Sequence, residues 1–156
     1  MNPDSNLTAL ARNNRTCMIA HTATAGVMLL LLFLQAATRG INPAVLTISC
    51  ILGIAPVAAE LLYWKKNHET PAIRQLVGNG FAVFFTFYIY TSTTFMASVF
   101  VIPMIVVISL YNNKKFSLLV NTGVVIETII LAVIGIQSGK YAYPDSDTAI
   151  IHVIFV

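Results

Sequence analysis

Long apolar runs broken by short polar corners set the pattern of this chain. The runs cover residues 17–37, 43–64, 72–91, 95–111 and 116–137. As helices rising about 1.5 Å per residue, each reaches across a hydrocarbon layer of roughly 30 Å, the fourth only just. A last stretch, 148–156, opens like a sixth helix but would cover only ~15 Å, so the natural chain is expected to continue past Val156. The pattern predicts an all-α, polytopic membrane helix bundle with five full transmembrane helices plus the start of a sixth. Residues 1–16 form a polar segment before it.

The corners carry their own start signals. Asn42 before Pro43 and Thr70 before Pro71 each read as an N-cap followed by a first helical residue. Asp145, Ser146 and Asp147 offer caps to the sixth helix. Tyr63, Trp64, Tyr111 and Tyr141 stand where interfacial aromatics belong. Pro56 and Pro103 fall inside spans two and four, where proline frees backbone carbonyls and kinks a helix.

Composition sharpens the class. Hydrophobic residues make up 57% of the 156 and charged residues 10%, against about 25% charged in ordinary soluble domains. The mean hydropathy is +0.79. The net charge is +3, but the basic residues are scattered between apolar runs, which argues for membrane topology rather than nucleic acid. Arg12, Arg15, Lys65, Lys66, Arg74, Lys114 and Lys115 fall on one side, Arg39 and Lys140 on the other. That asymmetry predicts a multi-pass protein of the bacterial plasma membrane with a cytoplasmic N-terminus. The first run has no small-residue cleavage site and is not a removable signal peptide. Cys17 and Cys50 give no disulfide framework and read as small buried hydrophobes.

Few residues offer chemistry. Glu127 is the lone acid of TGVVIETIILAVIGI and lies near the middle of its span, ~16 Å from the basic end. A charge there costs roughly 2.5–3.5 kcal/mol on insertion scales, so a neutral acid hydrogen-bonded inside the bundle is expected. It is either a ligand, proton or cation site, or a neutral bond to Asn, Ser or Thr on another helix. Glu60, one turn before Tyr63 and Trp64, matches His21 in depth. A structural contact between His21 and Glu60, or between Glu60 and Lys65 or Arg15, would neutralise the acid. Phe81, Phe84, Phe85 and Tyr88 form a helical stripe that reads as packing or lipid contact. Its alternative is an aromatic pocket at the outer end, with Tyr88 and Tyr90 contacting a small amphipathic ligand. His21 and His152 sit at different depths and cannot share a haem iron, no spacing fits a zinc site, and no acid pair or activated serine shares a depth. No cofactor, metal or catalytic residue is expected.

On NRTCMIAHTA, LLYWKKNHETPAIRQLVGNGFAVFFTFYIYTSTT and FVIPMIVVISLYNNKKFSLL, the chain resembles the N-terminal membrane region of methyl-accepting chemotaxis proteins from Gram-positive anaerobes. The likeness covers roughly residues 13–150 and is one of layout and short phrases. It implies six helices without a large extracellular domain, followed by a cytoplasmic helical hairpin that is methylated on glutamates. That hairpin would control a chemotaxis histidine kinase with its coupling protein, in a homodimer. The chain departs from the family by ending inside helix six, and no ligand residue carries over. The expected function is the membrane input module of a signal transducer and not an enzyme. Its rivals are a small transporter or channel with Glu127 as coupling site, and a bare membrane anchor.

Overall fold

A computed structural model describes residues 7–92, 99–111 and 113–137. Among them are five helices and no strand: α1 Ala9–Arg39, α2 Pro43–Lys66, α3 Pro71–Thr91, α4 Val101–Ser109 and α5 Lys114–Gln137. Four of these, α1, α2, α3 and α5, are long and apolar enough to cross a membrane. The fourth expected span extends into residues outside the described part, and its described helix is nine residues long. The expected sixth helix also lies outside the described residues.

Local chemistry explains the boundaries. Asn42 Oδ1 accepts from Ala44 N at 2.9 Å and Thr70 Oγ1 from Ala72 N at 3.3 Å, so both Asn/Thr-Pro pairs start helices. Asn113 Oδ1 does the same for Phe116 N at 3.1 Å, opening α5. The first helix begins eight residues before its apolar run, where the Thr8 hydroxyl accepts from Ala11 N at 3.3 Å. Hydropathy marks where the membrane starts, whereas caps mark where the helix starts. At the far end α1 stops at Gly40, whose φ of 71° suits only a residue without a Cβ. Pro56 lies inside α2 as expected. Pro103 is the third residue of α4, in a first turn whose N–H groups have no helical partner anyway, so it needs no kink there.

The core lies between α1, α2, α3 and α4. Helix α3 supplies most of it: Ile73, Val77, Phe81, Phe84, Phe85, Tyr88 and Ile89 are all buried. Phe81 and Phe85 stack with ring centroids 5.3 Å apart, and Tyr88 meets Phe84 at 6.3 Å and Phe100 at 5.9 Å, edge to face. The aromatic stripe is packing. Gly80 lets α3 close on α2, since a Cβ there would lie 2.5 Å from the Pro56 Cβ. Outside, residues such as Phe33, Ile51, Leu62, Ile126 and Ile129 are exposed, a surface suited to lipid and not to water.

One end of the bundle gathers both basic corners. Asn14 Nδ2 of α1 donates to His68 O in the α2–α3 corner, and Asn13 Nδ2 donates to Leu110 O at the end of α4. Arg12 and Arg15, Lys65 and Lys66, Arg74, and Lys114 and Lys115 therefore share an end, and Arg39 sits at the other.

Candidate functional site

On α1 the buried positions Asn14, Cys17, His21, Thr24, Met28 and Leu32 recur every three or four residues, forming one inward face. Its first half is polar and its second half apolar. Near the basic end of the bundle this face meets α2, α3 and the segment after α4.

The centre of that meeting is a contact between His21 and Glu60. Nδ1 of the imidazole lies 2.6 Å from Oε1 of the carboxyl, and both side chains are fully enclosed. A single proton in that contact holds α1 to α2. The ring of Phe81, on α3, stands edge-on to the imidazole with centroids 6.1 Å apart. Where Gly80 meets Pro56, a Cβ on residue 80 would lie 3.5 Å from His21 Cε1. The histidine thus sits directly behind the close Gly80–Pro56 approach of α3 to α2, which also floors an outer groove of about 600 Å³ between those helices. Two polar atoms of the pair, His21 Nε2 and Glu60 Oε2, are buried without a hydrogen-bond partner. Such atoms are costly in a low-dielectric interior and mark where a second arrangement would have something to gain.

Closer to the basic end the polar face continues as a tie. The Asn14 amide donates to His68 O at 2.9 Å and Thr70 O at 3.2 Å, and its Oδ1 accepts from the Tyr111 hydroxyl at 2.9 Å. Cys17 Sγ donates to Val107 O at 3.4 Å. The Arg74 guanidinium lies over the Tyr111 and Phe116 rings, at 5.9 and 5.4 Å from their centroids. One asparagine therefore joins α1, the α2–α3 corner and the end of α4.

The other expected site residues are not brought together. Glu127, on α5, is half-buried and meets Thr86 of α3 side chain to side chain, with its Oε1 enclosed and without a partner. Tyr88 is buried in the aromatic core, whereas Tyr90 is 46% exposed, because residues two apart on a helix face different ways. Cys17 and Cys50 are free thiols, and no group of three or more metal-type ligands occurs among the described residues. Sequence reasoning did not single out Asn14 or the stack of Arg74 on Tyr111. The signal for Asn14 was its place seven residues before His21 on the same face of α1.

Comparison with protein-family models, with curated proteins and with solved structures gives no match to this chain. The functional reading rests on the sequence resemblance and on this geometry.

Proposed function

We propose that the chain is the membrane input module of a bacterial signal transducer, of the chemoreceptor kind its sequence resembles. It would sit in the plasma membrane as a multi-pass bundle with its N-terminus and basic end in the cytoplasm. The observation that carries this reading is the His21–Glu60 junction, where α1, α2 and α3 meet over one enclosed polar contact with hydrogen-bonding capacity left unused. A small ligand or a property of the bilayer that favours a slightly different α1 packing would exchange one set of buried polar partners for another. That is a two-state element of the sort an input can bias. The partners of such a receptor would be a second copy, a chemotaxis histidine kinase and its coupling protein, and the module itself would do no chemistry.

The test is a fusion of this chain to a known chemoreceptor signalling domain placed on the side of the basic end. Glu60→Gln keeps the shape and changes the proton balance of the junction, so it should shift basal kinase activity while the fusion remains in the membrane. Kinase activity that no junction variant moves would favour a bare anchor. For orientation, Asn67→Cys and Asn42→Cys, each in a background lacking Cys17 and Cys50, place labels at opposite ends. An impermeant maleimide should modify only the second in intact cells; the reverse would put the basic end outside.

A transporter reading draws on Glu127, whose enclosed Oε1 has no hydrogen-bond partner among the described residues and which is the single acid of α5. Solute uptake by proteoliposomes that Glu127→Gln abolishes would favour it over the receptor.

A further inference from the structure

At the basic end, α1 and α2 enclose between them an outer groove of about 500 Å³ that plays no part in the buried junction. Arg15 and Trp64 lie nearest that end. Ile19, Thr22 and Ala23 of α1 and Leu61 of α2 carry the groove inward. From Arg15 to Ala23 it descends eight residues of helix, ~12 Å toward the membrane interior. Ile19 and Leu61 are 60% and 50% exposed, so the trench opens to lipid along its length. Trp64 is braced by an edge-to-face contact with His68 at 4.2 Å.

Among the described residues, the exposed charge beside the mouth is basic. Arg12, one turn before Arg15, and Lys65 and Lys66, directly after Trp64, are exposed. The acid of this stretch, Glu60, is turned inward to His21 and has no exposed surface. Glu69, in the following corner, is the one exposed acid among the described residues at this end. A cationic mouth, an interfacial indole and an apolar trench leading down from them have the layout of a lipid molecule with an anionic headgroup. A soluble anion would leave the trench unused, and a zwitterionic lipid would fill the trench but gain little from the cations.

We propose that this groove is a binding site for an anionic phospholipid. Arg15 and the Lys65–Lys66 pair receive its phosphate through their positive charge. One acyl chain lies along Ile19, Thr22, Ala23 and Leu61, with Trp64 at the level of the glycerol. The proposal rests on the chain being embedded in a membrane and is independent of the receptor reading.

Trp64 is the single tryptophan of the chain, so its fluorescence reports this groove alone. The protein is reconstituted in phosphatidylcholine vesicles containing rising fractions of either dibrominated phosphatidylglycerol or dibrominated phosphatidylcholine. Brominated phosphatidylglycerol should reach half-quenching at a lower fraction, by about five-fold for each basic group it engages, and less so at high salt. Arg15→Gln, and separately Lys65→Gln with Lys66→Gln, should each lower that preference, and Arg15→Lys should largely keep it. A second reporter, Phe33→Trp with Trp64→Phe, places the indole at the other end of α1 and should show no preference. Equal quenching of Trp64 by the two lipids, a preference that survives both charge variants, or the same preference at the Phe33 reporter would overturn the site. Absence of quenching by either lipid would overturn membrane embedding itself.

Discussion

Glu60 and Glu127 are each the lone acid of an apolar helix, yet the bundle treats them in opposite ways. Glu60 belongs to α2 and is fully enclosed, with an imidazole 2.6 Å away on α1. Glu127 belongs to α5, is half-buried and meets the Thr86 hydroxyl, with its Oε1 enclosed and without a hydrogen-bond partner among the described residues. In the sequence Glu127 looks the more unusual, because its neighbours are aliphatic and it lies near mid-span. Glu60 sits one turn from the interfacial Tyr63 and Trp64 and looks the more ordinary. The difference lies in the neighbours: α2 is wedged against α1 and α3 beside a polar stripe, while α5 runs along the edge of the bundle and leaves Ile126, Ile129 and Ile130 exposed. Depth along a helix therefore says less about an acid than which helix stands opposite it.

The strongest way to break the comparison is to remove half of the buried pair. Glu60→Ala or His21→Ala leaves an enclosed polar group with no partner, and each should cost about 3–5 kcal/mol of stability. The readout is thermal unfolding in detergent. The double variant His21→Leu with Glu60→Leu should recover most of that loss, since an apolar replacement of a buried pair is often close to neutral. If each single variant is harmless, the pair is not the junction described here.

Next in size is the contact that sets the pair in place. Gly80→Ala would drive a Cβ to 2.5 Å from the Pro56 Cβ, and a proline ring cannot swing aside. The helices must part, at about 1–3 kcal/mol. The same substitution at Gly26, where a Cβ meets nothing within 4 Å, should be neutral or slightly stabilising through helix propensity. Equal stability of the two variants would show that α2 and α3 do not approach as closely as the pair requires.

A smaller effect is expected at the tie nearer the basic end. Tyr111→Phe removes one hydrogen bond and leaves Asn14 Oδ1 without its donor, for about 1 kcal/mol. It also leaves a ring beneath Arg74, so the cation–π contact survives. Tyr111→Leu removes both and should cost more. Should the two variants unfold together, the contribution of Arg74 is negligible.

Much of this was legible in the chain, and the reason differs by element. The starts of α2 and α3 follow from Asn42–Pro43 and Thr70–Pro71 because capping is decided within a few residues. The end of α1 at Gly40 was not singled out, and its start at Ala9 was hidden because an apolar run reveals only the part of a helix that lipid surrounds. The His21–Glu60 approach could be framed from matched depth on one side, although depth alone left Lys65 and Arg15 as rival partners for the acid. The tie through Asn14 was out of reach of any single run, since it joins residues 54, 56 and 97 positions apart. Tyr88 and Tyr90 are close in sequence, but a helix turns neighbours two apart to different faces.

The smallest expected effect is the one that defines Glu127. The Thr86 hydroxyl donates to Ala82 O at 2.8 Å, so it has lone pairs rather than a proton to offer the carboxyl. A hydrogen bond between the two then needs the proton to come from Glu127, which is also the form an apolar surround favours. Glu127→Gln keeps both the shape and a donor, and its stability should change by less than about 0.6 kcal/mol, the average for polar contacts between membrane helices. Glu127→Lys puts a fixed cation in the same place and should impair insertion or packing. Infrared spectra at neutral pH supply the direct reading: a protonated carboxyl C=O band present in the native chain and absent in Glu127→Gln. An ionised carboxylate band lost in its place would make Glu127 a charge in an apolar span without the imidazole partner that Glu60 has, and would shift the balance toward a cation-coupled transporter.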